Sequence, residues 1–231
     1  MWLVVDYEPV SAFGLRPSNT TANGGKSLIC PTPYAMKMGL LDRLIRFGGE
    51  SYGREVFPII RDLQFYIRLP MATAINRTFQ KVLRTWEKGK GWTETISQRE
   101  YCFQAGVLRI ATETTPEFGD VLLRAFSAIN YFGRKGSFMQ WVSYDNTTPF
   151  LPEGFVNASQ PTMGLVRGFL QRMDDMEQTK IEGKKERPVV FDDVSVLNPK
   201  ATGARRSYTV VFPYELAYNG QNHTVYQLKG R

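Results

Sequence analysis

Alternating and helically spaced apolar residues predict two similar strand–helix–strand units within residues 1–145. In the first unit, residues 2–8 are rich in branched and aromatic side chains and predict a strand. Thr32-Pro33 combines a hydroxyl N-cap with proline at the first helical position, and the helix that follows has an apolar face as far as Gly48-Gly49. Residues 56–69 then alternate apolar and polar side chains, which predicts a long second strand.

The second unit repeats these signals. Residues 101–111 predict a third strand, and Thr115-Pro116 repeats the N-cap and proline signature before a helix that we expect to end at Gly133. Residues 138–144 predict a fourth strand. The order β-α-β-β-α-β is that of the ferredoxin-like, split βαβ fold used by RNA-recognition modules. We therefore predict an α+β, ferredoxin-like (RRM-like) domain over residues 1–145.

Two regions lie outside this pattern. Residues 70–100 contain six cations against three acids, and Trp86 and Trp92 flank two glycines. The glycines indicate a turn, so an inserted basic hairpin or a short helix–turn is expected. Residues 146–231 predict an irregular, β-rich C-terminal extension that packs on the domain.

Composition narrows the range of partners. The chain has 231 residues, a hydrophobic content of 42% and a net charge of +7, which favour a globular protein with an acidic partner: nucleic acid first, a membrane surface second. No apolar run approaches the roughly 18 residues that a membrane span needs. The N-terminal residues lack the basic region of a signal peptide, so a cytoplasmic location is expected. Cys30 and Cys102 form no CxxC pair and are expected to be reduced, structural thiols.

Several chemistries find little support in the sequence. The single histidine, His223, has no Cys or His at metal-ligand spacing, so no metal is expected. No Walker lysine motif or dinucleotide fingerprint is present, and no cofactor is expected. The carboxylate pairs Asp174-Asp175 and Asp192-Asp193 fall in polar segments and are expected on the solvated surface.

Three basic stretches support nucleic-acid binding. Two glycines bracket Arg134 and Lys135 in a loop that is either a phosphate cradle or an ordinary helix C-cap. Residues 76–101 interleave cations with aromatic rings, a composition that suits binding of single-stranded nucleic acid. The alternative is a basic surface hairpin whose tryptophans pack on its own β-sheet. The segment 16–26 is also basic, and in a ferredoxin-like fold all three stretches can converge on one face.

The residues also resemble the CRISPR-associated Cas-five proteins, members of the RAMP superfamily in the Cascade surveillance complex. Four features carry the resemblance and together cover roughly the first 145 residues. They are Ala-Phe-Gly-Leu-Arg at 12–16 after the first strand, Pro-Thr-Pro-Tyr-Ala-Met-Lys-Met-Gly-Leu-Leu at 31–41, Ile-Ser-Gln-Arg-Glu-Tyr at 96–101, and the glycine loop at 133–136. The second feature is the most specific and the glycine loop the least.

The resemblance implies a subunit at one end of a ribonucleoprotein that grips the 5′ handle of the guide RNA. Its partners would be the guide RNA, the backbone subunits and the large subunit, with target DNA nearby and no membrane. A β-hairpin thumb, residues 71–98 here, would wedge at the boundary between handle and spacer. The residues that composition and resemblance together predict to contact RNA are Arg16, Ser18, Asn19, Lys26, Lys37, Arg77, Lys81, Arg84, Trp86, Lys88, Lys90, Trp92, Arg99, Tyr101, Gly133, Arg134, Lys135 and Gly136.

One branch of that family is an endoribonuclease that uses a tyrosine, a lysine and a histidine. This sequence has no histidine near its hairpin or third strand, so we predict a non-catalytic handle binder. The alternative is a metal-independent endoribonuclease that processes precursor guide RNA with His223 or a lysine–tyrosine pair. A basic RNA-recognition domain outside CRISPR systems is the third interpretation.

Overall fold

A computed structural model of the chain describes residues 1–18, 24–85, 91–183, 185–195, 198 and 203–229. In chain order, its elements are β1 (Trp2–Pro9), β2 (Gly24–Gly25), α1 (Pro33–Asp62), β3 (Phe65–Arg68), β4 (Ala72–Thr85), β5 (Trp92–Ala105), β6 (Leu108–Glu113), α2 (Pro116–Ser127), β7 (Met139–Asp145), β8 (Val156–Asn157), β9 (Phe169–Met176), β10 (Thr179–Glu182), β11 (Lys185–Pro188), α3 (Phe191–Val194), β12 (Arg205–Phe212), β13 (Tyr214–Asn219) and β14 (His223–Leu228).

The first sheet has the ferredoxin-like topology. Its strand order is β7-β1-β6-β3-β8, and the neighbouring strands are antiparallel. With α1 between β1 and β3, and α2 between β6 and β7, this is the β-α-β-β-α-β arrangement of the split βαβ fold. The predicted α+β fold class is confirmed.

The main core lies between this sheet and its two helices. Leu3 and Val5 of β1 belong to one buried cluster with Met36 of α1 and Phe126 of α2. The Tyr7 hydroxyl, fully buried, donates a 2.6 Å hydrogen bond to the Phe126 carbonyl and so ties β1 to the end of α2. Burial of these apolar side chains is the main force that holds the layers together.

Both helices begin where the N-cap signals predict. The Thr32 hydroxyl accepts a 3.3 Å hydrogen bond from the Ala35 N–H, and the Thr115 hydroxyl accepts one of the same length from the Phe118 N–H. A proline fills the first helical position in each case, where its missing N–H costs nothing.

The predicted second strand is wrong over most of its length. Gly49, with φ 81° and ψ 177°, interrupts α1, and the helix then resumes as far as Asp62. Val56, Phe57 and Ile60 are buried at helical spacing, so only the last part of 56–69 forms a strand, β3.

Two other predicted boundaries also move. Gly106 has φ 107° and separates β5 from β6, so the predicted third strand is two strands joined by a turn. The helix predicted to reach Gly133 ends at Ser127, and its C-cap is Ala128. The glycine loop is therefore a separate turn, and the C-cap interpretation of it is excluded.

The second sheet has the order β13-β14-β4-β5-β2. Its centre is a long hairpin in which β4 and β5 pair from Ala72 opposite Ala105 to Thr85 opposite Trp92. This hairpin lies between β3 and β6 in the chain, where the sequence predicts an insertion. Strand β14 pairs with β4, so the C-terminal residues extend the sheet of the hairpin.

The remaining C-terminal strands form two antiparallel ribbons, β9 with β12 and β10 with β11. A smaller buried cluster joins α1 to this region, with Leu41 and Phe57 against Met176, Val189 and Phe191. Strand β8 adds to the edge of the first sheet beside β3. As far as the structure describes them, the helices do not have the apolar length that a membrane span requires.

Candidate nucleic-acid interface

A cationic groove of about 950 Å³ opens beside the N-terminal half of α1. Segments that are distant in the sequence form it: residues 15–16 and 28–35, the helix itself, Arg99 of β5, the 129–135 turn and the β9–β12 ribbon. The cations that line it are Arg16, Arg43, Arg99, Arg134, Lys135 and Arg205. Four of these six, those at 16, 99, 134 and 135, are among the residues that the sequence predicts to contact RNA.

The glycine loop holds one wall of this groove. Gly133 and Gly136 have φ values of 71° and 95°, which side chains rarely adopt, so glycine is required at both turns. The Ser137 N–H donates to the Arg134 carbonyl at 3.2 Å and closes the turn. The Ser137 hydroxyl donates to the Gly14 carbonyl at 3.1 Å and fastens the loop to the segment that carries Arg16. Arg134 and Lys135 remain exposed at the loop tip.

Two short bridges position Arg16 beside β5. Phe13 and Cys102 exchange backbone hydrogen bonds of 2.9 and 2.7 Å, and the Leu28 N–H donates to the Leu15 carbonyl at 2.7 Å. The result is a small recess next to the groove. Its lining includes the predicted residues Arg16, Lys26, Arg99, Tyr101 and Arg134, which come from three separate stretches of sequence.

One face of α1 forms the groove floor with small and polar side chains. Ala35, Met38, Gly39 and Asp42 repeat at helical spacing and line the groove. A methyl group at Gly39 would lie 3.5 Å from the Ile129 side chain, an ordinary contact, so packing does not require glycine there. The bare backbone at Gly39 leaves room in the groove for a ligand.

The two carboxylates of the groove do not cancel its charge. Asp42 lies 3.1 Å from both Arg43 and Arg46, and Asp174 lies 3.4 Å from Arg205. With two carboxylates against six lining cations, the groove has an excess of positive charge that attracts polyanions.

Arg43 and Arg205 are groove residues that the sequence reasoning missed. The Arg205 guanidinium lies 4.0 Å from the centre of the Tyr34 ring, and this cation–π contact holds it at the groove. Arg205 reaches the site because β12 pairs with β9, which packs on α1. That pairing has no local sequence signal. Arg43 could have been found, because it lies one turn after Gly39 on the predicted helix.

Lys37 is buried and does not line the groove, which corrects its assignment as an RNA contact. Its side chain is 2% exposed, and the ammonium lies 2.7 Å from Asp175 and donates to the Arg61 carbonyl at 2.8 Å. Burial lowers the pKa of Lys37, and the Asp175 carboxylate opposes that shift. An ammonium with its partners already buried has no surface to offer a phosphate.

The carboxylate pairs expected on the solvated surface are mostly buried. Asp174, Asp175 and Asp193 are 6%, 1% and 6% exposed, and each is paired with a cation. Asp192 is exposed and lies 2.7 Å from Arg54. The polar composition of both stretches gave no sign of these ion pairs, because their partners come together only in the folded ribbons.

Of the predicted hairpin residues that the structure describes, Arg99 lines the groove and Tyr101 lines the recess beside it, and the others lie farther out. Arg77 lies 3.5 Å from Glu100, Lys81 lies 3.9 Å from Glu94, and Trp92 is exposed near the end of β5. Ser18 is exposed, close to the end of a described segment. Asn19, Trp86, Lys88 and Lys90, and the side chain of Arg84, lie outside the described part of the chain.

His223 is closer to the hairpin than the sequence suggests. It begins β14 directly opposite Asn76 of β4, and its ring stacks on Tyr218 with centroids 5.1 Å apart. His223 is therefore far from the hairpin in the sequence but next to it in the fold, and the expectation that no histidine lies near the hairpin is wrong. His223 does not line the groove. Among the described residues, His, Cys, Asp and Glu side chains form no cluster of three that could bind a metal ion.

The two cysteines are free and buried. Burial raises the pKa of both thiols, that of Cys102 to about 12, so neither is a reactive thiolate at neutral pH.

Together, the fold and the groove define a ferredoxin-like α+β protein with a cationic surface groove. The sequence matches no protein-family model, and no curated protein is significantly similar to it. Solved structures that are similar to this chain include a CRISPR protein from Archaeoglobus fulgidus (12% identity, 99% of this chain and 92% of that one, TM-score 0.39), a chain of a CRISPR RNA-guided surveillance complex (12%, 92% and 90%, TM-score 0.39) and a Cas protein (18%, 92% and 95%, TM-score 0.36). Likeness at this level does not assign a function.

Proposed function

We propose that this chain is a non-catalytic RNA-binding subunit of a CRISPR type I Cascade complex. It grips the 5′ handle of the guide RNA and caps one end of the backbone filament, in contact with the backbone subunits and the large subunit. The observation that carries the proposal is the convergence of four predicted cations, Arg16, Arg99, Arg134 and Lys135, on one groove. The sequence features shared with the Cas-five proteins, among them residues 31–41 at the start of α1, supply the assignment to Cascade.

In this proposal, the groove binds RNA through two kinds of contact. The cations at its rim neutralise phosphates, which supplies most of the affinity and makes binding sensitive to salt. Half-buried rings at or beside the groove, Tyr34, Tyr101 and Tyr131, offer faces and hydroxyls to unpaired handle bases. Unpaired bases can be read in this way, whereas the deep major groove of an RNA duplex cannot.

The test is binding of purified protein to its own repeat RNA, measured by fluorescence anisotropy over a range of salt concentrations. Reversing Arg134 and Lys135 to glutamate should weaken binding strongly and reduce the salt slope, by about 0.7 for each phosphate that the protein no longer neutralises. The matched control reverses Arg172 and Lys185, two exposed cations outside the groove, and changes the net charge equally. Equal weakening by both pairs would refute a specific groove.

Incubation of the same RNA, read on a denaturing gel, tests the non-catalytic part of the proposal. We expect retention without cleavage. Specific cutting within the repeat that is abolished by His223→Ala would instead establish the endoribonuclease alternative.

A further inference from the structure

The outer face of the second sheet carries a set of aromatic rings, of which only Tyr101 also takes part in the groove contacts proposed above. We propose that this face, which we call the aromatic platform, is a second binding surface for single-stranded RNA. The platform consists of Tyr101 and Phe103 on β5, His223 on β14 and Tyr218 on β13. The inference extends the proposed function, because it concerns RNA that continues beyond the groove.

The strand register places these rings on one face. Residues directly opposite one another on antiparallel strands point to the same side. Phe103 is opposite Ala74, Ala74 is opposite Val225, and Val225 is opposite Tyr218. The next row runs from Tyr101 through Asn76 to His223 in the same way. The alternate residues, Cys102, Ile75 and Thr224, are buried on the opposite face, so the platform rows face outward.

The rings are accessible, and the floor between them is low. Phe103 and Tyr218 are each 54% exposed, and Tyr218 is stacked on His223 at an interplanar angle of 26°. Ala74, Asn76 and Val225 lie between the two sides, across three strand spacings or about 14 Å. A flat sheet face with separated aromatic rings is the arrangement on which RNA-recognition modules stack unpaired bases.

Charge favours RNA as the occupant of this face. By the alternation of the strand, Glu94 and Glu100 of β5 belong to the opposite side, and the Glu100 carboxylate, which borders the recess, accepts from the Ser27 N–H at 3.1 Å and lies 3.5 Å from Arg77. Among the described residues of β4, β5 and β14, the platform side therefore carries no carboxylate. Glu215 on β13, at the far edge, accepts a hydrogen bond from Gln227. A phosphate backbone would meet Arg99 and neutral amides or hydroxyls, such as those of Asn76 and Thr78, on this side.

The platform is also continuous with the groove. Arg99 lies two residues before Tyr101 on the same side of β5, and Arg99 lines both the groove and the adjoining recess. Tyr101 lines the recess as well. A strand that leaves the groove past Arg99 meets Tyr101 first and Phe103 next, so both surfaces fit one continuous RNA.

A protein partner fits the other side of the hairpin better. There, large apolar side chains are exposed in neighbouring pairs between the ionic ones: Phe79, Leu83, Trp92 and Ile96. On the described part of the platform, the rings lie at two sides, with Ala74, Asn76 and Val225 between them, and they do not surround the connected aliphatic centre of a protein interface.

The test measures binding of a fluorescein-labelled oligouridylate to the full chain and to single-ring variants. Phe103→Ala and Tyr218→Ala should each weaken binding about fivefold or more, since stacking contributes roughly 1–3 kcal/mol per base. Phe103→Trp should preserve binding. Phe79→Ala is the matched control, because Phe79 is an exposed ring on the opposite face of the same hairpin, 73% accessible.

The outcomes separate this inference from the proposed function. If Arg134 and Lys135 reversal weakens binding and the ring variants do not, the platform inference is overturned and the groove stands. If the ring variants weaken binding and the groove variant does not, the platform stands without the groove. Equal losses of affinity for Phe79→Ala and Phe103→Ala overturn the platform inference. It is also overturned if Phe103→Ala changes self-association in sedimentation and leaves RNA affinity unchanged. Absence of any RNA binding overturns both.

Discussion

The buried ion pair between Lys37 and Asp175 should set the stability of the protein without contributing to RNA affinity. It joins α1 to β9, and the two side chains are 2% and 1% exposed. We expect Lys37→Met to destabilise the fold and to leave the groove intact. The sequence alone suggests the opposite, an RNA contact at Lys37, so this variant distinguishes the two interpretations.

The expected cost follows from the partners that remain. Breaking a buried ion pair by removing one member typically costs 3–5 kcal/mol, because a charge is left buried and unpaired. In Lys37→Met, Asp175 keeps Arg206 at 3.3 Å and the Met176 N–H at 2.7 Å, so we expect about 3 kcal/mol. Asp175→Asn leaves Lys37 buried near the Arg206 cation and should cost more, about 4–5 kcal/mol.

Replacing both members, with Lys37→Met and Asp175→Leu together, should cost less than the sum of the single changes. The double variant removes both desolvated charges, and contacting residues are not additive. Arg206 stays partly in solvent, with 43% of its side chain exposed, and tolerates the loss of its partner.

Urea unfolding measures the stability of these variants, and RNA titrations below the unfolding transition measure affinity. Lys185→Met, at an exposed lysine in β11, is the control and should be neutral in both assays. A Lys37→Met protein as stable as the wild type, with weaker binding and a salt slope lower by about 0.7, would show that Lys37 contacts phosphate and that the burial argument is wrong.

Three further outcomes test the fold. Gly39→Ala should raise the free energy of unfolding in urea by about 1 kcal/mol, because alanine fits the helix without strain. Gly133→Ala should lower it by about 1 kcal/mol, because alanine is strained at φ 71°. Changes of the same sign in both variants would contradict the argument. Thr115→Ala should lose about 1 kcal/mol of stability with the α2 cap hydrogen bond, and an unchanged midpoint would refute the cap. The free energy of unfolding should fall above about pH 8.5, by up to about 1.4 kcal/mol per pH unit for each thiol. Above that pH the thiols of the unfolded chain ionise, whereas the raised pKa values of Cys30 and Cys102 keep the folded thiols protonated. The Cys30→Ala, Cys102→Ala double variant should show a flatter pH profile of unfolding, and an unchanged profile would contradict the assignment to the thiols.

Local signals predicted the first sheet because each of its elements carries its own pattern. The Thr32 and Thr115 caps act within three residues, the apolar residues of α2 repeat with the helical period, and β1 is a run rich in branched and aromatic residues. The error at residues 56–62 has a local cause as well. Val56-Phe57-Pro58-Ile59-Ile60 is rich in branched side chains and resembles a strand, yet the helix wins because it buries Val56, Phe57 and Ile60 on one side.

The sequence predicted only those groove residues whose side chains are basic and lie in the basic stretches. Arg16, Arg99, Arg134 and Lys135 stand out as basic positions, but charge alone does not distinguish them from Lys37. The difference is burial, which depends on Asp175 approaching from a ribbon more than 130 residues away. Arg205 could not be predicted as a groove residue for the same reason, since its position over Tyr34 depends on the pairing of β12 with β9.

The same dependence on distant pairing connects the groove to the C-terminal strands. Asp174 and Asp175 are neighbours on β9, and alternation sends them to opposite sides: Asp174 to the groove with Arg205, and Asp175 to Lys37 beneath α1. The ribbon therefore fixes one groove cation and is itself fixed by the buried pair. Arg134, in contrast, does not depend on this ribbon, because the Ser137 hydrogen bonds fasten its loop to the segment that carries Arg16.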